Sequence, residues 1–473
     1  MKVWKRVRRS GVTILGQRLS SYEVIIPSKQ DEKAVLFNGL AGTIDVVSLR
    51  IGKLLNESRN NPEVLSRSEF DGIRPTLEKR FHITSKTVND ERLFCSKLAE
   101  HYEAEQSSLY GAGHFVILPT YSCNFRCPYC YEHSVMSSDL YGDSSGLMTT
   151  KQVENIFTIM SSFPYVEEKA QIEIFGGEPL FKKTLSIVRT IVDCAQSAKR
   201  TISATTNGYE LDLFEDCLGR EKISTLCITV DGPAEIHDRR RITSTGKGTF
   251  EKIISNIGMA LEKGVDVRLR SNVDATNIDS YLPLLRSFGE LGFLDNEHFS
   301  VAYGLVKSLP GVKLANGISE VDFFAYLQEQ TDNKKLLSIA MQAGEDGMLT
   351  DLINNPVAAT KTRFCGAVGS SYFFSPDNRI YVCSEVIGQE MYSVGWYDAE
   401  LHIDEAAISR WRKRKMPHIK ECLDCPLIFI CSGGCAFRAI ASGIPEGPYC
   451  DAVKESFDAR LKLELRLKGI LSW

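Results

Sequence analysis

The chain predicts an α/β protein: a partial (β/α)6 barrel between a small N-terminal α+β module and a loop-rich C-terminal region held together by metal. Three observations predict it. Strand-like and helix-like segments alternate between His114 and Leu305, two strands and two helices precede them, and seven of the 14 cysteines crowd into residues 365–450. At 473 residues the chain has room for two to three domains. We divide it into residues 1–108, 109–350 and 351–473.

Composition narrows the class. With 43% hydrophobic and 25% charged residues, wholesale disorder is excluded. Lys and Arg total 56 against 60 Asp and Glu, without the basic excess of a nucleic-acid binder. The basic opening, Lys5, Arg6, Arg8 and Arg9, is followed only by Val12–Leu15, too short for a signal-peptide core. No apolar run approaches the ~18 residues that span a bilayer. We therefore expect a cytoplasmic protein with reduced thiols, whose clustered cysteines bind metal or serve catalysis.

In the N-terminal module, Tyr22–Pro27 and Ala34–Phe37 read as strands joined by a polar turn, Ser28–Lys33. The apolar spacing from Val46 to Leu55 predicts a helix, and a second follows over Asn89–Glu105 with Leu93, Leu98 and Tyr102 on one face. The pattern is winged-helix-like. The barrel strands are predicted at His114–Leu118, Gln171–Phe175, Thr201–Thr205, Thr225–Val230, Val265–Ser271 and Phe299–Leu305. Helices are predicted at Thr150–Ser162, Leu185–Lys199, Thr249–Lys263 and Asp279–Leu291. Alternation of this kind implies parallel strands with right-handed crossovers. Six units make an incomplete barrel, since a full one takes about 250 residues. Chemistry-bearing turns follow the strands, at the rim where such sheets build their sites. After Asp351 the alternation fades, and bound metal would replace the missing core. Ala459–Lys468 alternates like a strand but has the composition of a helix.

Cys123, Cys127 and Cys130 follow the first barrel strand at CxxxCxxC spacing. Three thiolates on one loop suit an iron–sulfur cluster or zinc. A zinc site completed by His133 or His114 is the plainer alternative. Three ligands on a four-iron cube leave one iron open to bind something else. The second constellation is Cys422, Cys425, Cys431 and Cys435, followed by Cys450 and preceded by Cys365 and Cys383. Alone, the Cys422–Cys435 quartet makes a reasonable zinc ribbon. Seven cysteines, however, do not divide into complete tetrahedral zinc sites. Cys194 and Cys227 read as small core residues, and nothing marks Cys217 for catalysis.

Cys123–Cys130, with Tyr129 before the last cysteine, resembles the signature of radical S-adenosylmethionine (SAM) enzymes. Phe175-Gly-Gly-Glu-Pro179 resembles the family's GGEP motif, and Thr206-Asn207-Gly208 and Thr229-Val-Asp231-Gly-Pro233 follow in the expected order. In that family the open iron chelates the amino and carboxylate groups of SAM. Reductive cleavage then gives a 5′-deoxyadenosyl radical that abstracts hydrogen from substrate. By resemblance, Gly176 and Gly177 allow close approach to the ligand, and Glu178 accepts from the methionine amino group. Tyr129 packs near adenine, while Asn207 and Thr229 offer polar groups to ribose or carboxylate. The plainer readings are a simple turn for the glycines, a solvated rim residue for Glu178, and a left-handed turn residue for Asn207. Asp231 reads also as a helix cap, and His237 as structural, since hydrogen abstraction needs no base.

CxxCxxxxxCxxxC with a distal cysteine resembles the SPASM extension of these enzymes, which carries two auxiliary four-iron clusters. The resemblance assigns Cys422, Cys425, Cys431 and Cys450 to one and Cys365, Cys383 and Cys435 to the other, for three [4Fe-4S] clusters in all. There are two departures. Asn378 stands where the family usually has Gly, and Asn tolerates the left-handed turn. No cysteine lies between Cys365 and Cys383, where relatives that mature sulfatases carry one. The first auxiliary cluster is thus one ligand short, to be closed by a substrate thiolate, water, a carboxylate or Cys95.

The resemblance covers roughly Phe115 to Tyr449 and beyond. It implies an oxidoreductase that matures ribosomally made peptides (RiPPs) or proteins, forming a cross-link or an oxidised product, with the auxiliary clusters accepting or relaying the released electron. Its partners would be a precursor peptide or protein and a reductant such as flavodoxin or ferredoxin, with no nucleic acid or membrane. Residues 1–108 are compatible with a leader-peptide module, or with a plain packing or dimerisation domain. The rivals are a formylglycine-forming sulfatase maturase, a small-molecule radical SAM dehydrogenase or epimerase, and a structural zinc protein.

Overall fold

The computed structural model describes residues 16–109, 113–132, 146–162, 171–308, 316–330, 333–341, 360–450 and 453–472. His133 and the boundary near Asp351 lie outside them. Near the N-terminus, β1 (Glu23–Ser28), β2 (Lys33–Asn38) and β3 (Thr43–Ser48) form an antiparallel sheet with β2 in the middle. The helix expected from Val46 starts later. The β-branched run Thr43, Ile44, Val46, Val47 favours extended backbone, and Ser48 caps α1 (Leu49–Glu57) by accepting from Ile51 N. The next long helix, α2 (Val88–Leu109), contains the expected segment. Leu98 is buried on it but Leu93 is 56% exposed, because five residues of helix separate them and only third or fourth neighbours share a face.

Six parallel strands follow: β4 (His114–Ile117), β5 (Gln171–Ile174), β6 (Ile202–Thr206), β7 (Ile223–Thr229), β8 (Asp266–Val273) and β9 (Phe299–Leu305). Between them lie α3 (Thr150–Ser162), α4 (Leu185–Ser197), α5 (Ala234–Arg240), α6 (Phe250–Glu262) and α7 (Tyr281–Glu290). Ile187, Val188, Ile191 and Val192 of α4, with Ile253, Ile257 and Ala260 of α6, bury their apolar faces against the sheet residues Ile172, Ile202 and Leu226. Such burial contributes roughly 1.5–3 kcal/mol per large side chain.

The sheet does not stop at β4. β10 (Ser371–Phe374) pairs with β4 in parallel, placing Ser371 opposite His114 and Phe374 opposite Ile117. Antiparallel β11 (Arg379–Tyr381), β12 (Gly395–Tyr397) and β13 (Leu401–Ile403) extend it to ten strands in the order β9-β8-β7-β6-β5-β4-β10-β11-β12-β13. The cysteine-rich region thus has regular structure and shares the barrel's core through Phe374, Ile380 and Tyr397, where the sequence suggested mainly loops. α8 (Val453–Leu467) settles the ambiguous C-terminal segment as helix. Phe457, Leu461 and Leu465, each four apart, pack on Val24, Ile26, Val35 and Phe37 of the N-terminal sheet. Its opposite face, with Ile25, Leu36 and Val47, packs on α1. Tyr22 Oη donates to Leu423 O, Arg92 pairs with Asp424 at 2.9 Å, and Glu103 pairs with Lys415 at 3.1 Å. The N-terminal module is therefore seated on the cysteine region.

Candidate active site

The loop that leaves β4 carries Cys123, Cys127 and Cys130. Backbone contacts hold it: Arg126 N donates to Ile242 O and Ser244 N to Asn124 O, both at 2.9 Å. Asn207 Nδ2, at the end of β6, donates to Asn124 Oδ1 at 2.7 Å. The turn after β5 packs directly beneath. Gly176 has φ 137°, and a Cβ on Gly177 would lie 2.3 Å from Tyr121 O and 2.4 Å from Ser122 O. These glycines permit close approach to the chain's own cysteine loop. Gly177→Ala is expected to cost about 1–3 kcal/mol and to lower the iron bound per chain, as thermal unfolding and iron analysis would read.

Glu178 is buried, not a solvated rim residue. Its Oε1 accepts from Thr206 Oγ1 at 2.5 Å and Leu180 N at 2.8 Å, and Oε2 accepts from Asn207 N at 2.6 Å. Burial pushes its carboxyl up to about 7 against the pull of those donors. Oε2 keeps lone-pair capacity for one further donor. The Asn207 side chain also accepts from Tyr209 N at 2.9 Å, and the left-handed residue is Gly208, φ 77°, not Asn207. Thr229 is buried at the end of β7.

Tyr129 is tied into a polar network. Its hydroxyl donates to Asp231 and accepts from Arg241 Nη1 at 2.8 Å, and the Arg240 guanidinium lies 4.7 Å from its ring centre. Asp231 accepts from Asn272 N at 2.9 Å, and α5 takes no side-chain cap, so the helix-cap reading of Asp231 fails. His237 is structural. Its Nδ1 accepts from Asp231 N at 3.3 Å, and burial with the neighbouring Arg241 and Arg240 charges pushes it down to about 3. The sequence reading passed over Arg240 and Arg241. Both are buried, Arg240 grips both oxygens of Asp274 at 3.0 and 2.9 Å, and Arg241 faces Cys127 with Nε lacking a hydrogen bond. The signal was the run Arg239-Arg240-Arg241 directly after Ile236-His237-Asp238. Such a cation beside a thiolate loop can offset its charge or hold a carboxylate.

The thiols of Cys123, Cys127 and Cys130 lie within electrostatic reach of one another. So do those of Cys383, Cys365 and Cys435, and those of Cys422, Cys425, Cys431 and Cys450. Tyr131 faces both Cys130 and Cys383. Asn378 adopts φ 61°, as a left-handed turn requires. Cys95 faces Cys425 and Tyr22 instead of the Cys365 set, so it is not placed to complete that set. His114 pairs with Glu173 at 3.0 Å at the start of β4, the opposite end from the cysteine loop, which removes it from the zinc alternative.

The donor chemistry fits iron–sulfur clusters. Phe125 N donates to Cys123 Sγ and Leu427 N to Cys425 Sγ, each at 3.4 Å, as suits anionic sulfur. Among the described residues no three His, Cys, Asp or Glu side chains are gathered tightly enough for one metal ion.

Residues 117–276 match the family model of the radical SAM superfamily. The chain carries a radical SAM domain. This radical SAM enzyme is similar to the cysteine-type anaerobic sulfatase-maturating enzyme of Clostridium novyi (strain NT), 21% identical over 358 residues, covering 72% of this chain and 92% of that protein. The serine-type enzyme of Bacteroides thetaiotaomicron is 22% identical over 366 residues, 68% of this chain and 83% of the other. Among solved structures, native anSMEcpe with bound AdoMet matches with TM-score 0.56 and 17% identity, over 75% of this chain and 99% of that one. SuiB of Streptococcus suis matches with TM-score 0.50 and 16% identity, over 92% and 99%. The α/β fold with its large, mostly parallel sheet is thus the radical SAM fold, and the structural-zinc reading is set aside. No helix among the described residues is long and apolar enough to cross a membrane.

Proposed function

We propose that this radical SAM enzyme is a peptide or protein maturase that abstracts hydrogen from a substrate residue to form a cross-link or an oxidised product. The supporting observation is the N-terminal sheet. Among the described residues β3 pairs only with β2, leaving one edge to which a leader peptide can add as a strand. The fold likeness to SuiB extends over most of the chain, and SuiB has also been solved bound to its precursor peptide SuiA, with TM-score 0.51 to this chain.

When bound, a four-iron cluster at Cys123, Cys127 and Cys130 and the SAM on it would supply the 5′-deoxyadenosyl radical. Glu178 Oε2 would accept from the amino group of SAM, and Asn207 and Thr229 line the same strand ends. Arg241 offers its unused Nε–H to a carboxylate, while Asp231 and Tyr129 hold that guanidinium in place. Cys365, Cys383 and Cys435 would hold one auxiliary cluster, and Cys422, Cys425, Cys431 and Cys450 the other. Flavodoxin or ferredoxin would serve as reductant.

The test is incubation of the reconstituted full chain with SAM, reductant and the precursor peptide encoded beside it. The expected result is peptide binding, 5′-deoxyadenosine, and a product lighter by two hydrogens. The second reading, formylglycine formation, is favoured by the two sulfatase-maturating relatives and weakened by the cysteine missing between Cys365 and Cys383. It predicts turnover of a sulfatase-derived Cys or Ser peptide instead.

A further inference from the structure

We propose that Arg414 is a cation shared by the two auxiliary clusters, raising the reduction potential of both. This rests on the reading that the two C-terminal cysteine sets hold iron–sulfur clusters. Arg414 is 1% exposed. Its Nη1 donates to Pro445 O at 2.8 Å and Gly447 O at 2.7 Å, on the segment leading to Cys450. Its Nη2 donates to Gly433 O at 2.9 Å, between Cys431 of one set and Cys435 of the other. The guanidinium is therefore fixed where the two sets meet in the chain. Its Nε is buried and makes no hydrogen bond.

The groups that face this cation are Cys422 and Cys431 from one set and Cys435 and Cys365 from the other. Burial alone works against the charge. An isolated buried charge is costly unless paired with an anion, and neutral thiols do not supply one. Cysteine thiolates on clusters do. A fixed positive charge facing a cluster in a medium of low polarity favours the added electron.

The experiment compares anaerobically reconstituted wild type, R414Q and R414K as full chains, by iron content and by potentiometric titration followed by electron paramagnetic resonance. In R414Q with its iron retained, the reduced-to-oxidised ratio of the auxiliary clusters at a fixed poise is expected to fall about tenfold, which is 59 mV for one electron. The cluster at Cys123–Cys130 keeps its potential, and R414K stays with wild type. Auxiliary potentials in R414Q that coincide with wild type overturn the proposal, as does an R414K shift equal to that of R414Q. If R414Q loses iron, R414K decides. Retained iron in R414K supports a requirement for charge, and equal loss leaves only the carbonyl brace and overturns it. Wild-type protein that takes up the iron of one cube alone overturns the cluster reading itself, and this proposal with it.

Discussion

Replacing Cys123, Cys127 and Cys130 together by alanine is expected to reduce 5′-deoxyadenosine formation from SAM to background and to remove about four irons per chain. The rest of the iron should stay, because the other cysteines sit on separate segments and face one another. The fold should also survive. The loop is held by backbone bonds to Ile242 and Ser244 and by the Asn207 side chain, none of which uses sulfur. A variant that loses all iron, or unfolds, would show that the clusters assemble as one unit. A variant that still forms 5′-deoxyadenosine at the wild-type rate would remove this loop from the chemistry. Iron analysis and chromatography of the nucleoside products read both outcomes.

His82→Ala is expected to destabilise the N-terminal module by about 3–5 kcal/mol, the range for removing one partner of a buried ion pair. His82 is fully buried between two strands. Its Nδ1 lies 2.9 Å from Glu23 Oε1 on β1, and its Nε2 lies 2.6 Å from Asp45 Oδ2 on β3. Burial opposes a charge on the ring, but the hydrogen bonds to Asp45 and Glu23 outweigh it and lift His82 to about 9. A raised histidine stabilises fully below its ordinary value of 6.5, and the contribution is lost as pH rises through about 9. Wild type should therefore lose module stability between about pH 7 and 10, and His82→Ala should lose much less over that range. Urea unfolding at several pH values, with hydrogen exchange over residues 16–109, measures both. Equal pH dependence in the two proteins would refute the assignment.

The six barrel strands were legible because period-two apolar runs alternate with amphipathic helices, and their turns carry motifs that only make sense at strand ends. What stayed hidden depended on pairing. Thr43–Ser48 was merged with the helix after it because Val46 and Val47 continue its apolar spacing. β10–β13 escaped notice because they are three or four residues long, too short for any period to show. In the site, the cysteines declared themselves by their spacing along the chain. The buried arginines did not, because an Arg at a helix end reads as solvated until its partners across the fold are known. Arg240 meets Asp274, and Arg414 meets carbonyls at Gly433, Pro445 and Gly447, all distant along the chain.

The strand β10 joins β4 edge to edge, so the loop bearing Cys123 and the hairpin leading to Cys383 hang from adjacent rungs of one ladder. Neighbouring strands keep a separation of about 4.8 Å, and no hinge intervenes along that seam. Clusters held at Cys123–Cys130 and at Cys383 would therefore hang from strands whose spacing is set by peptide geometry.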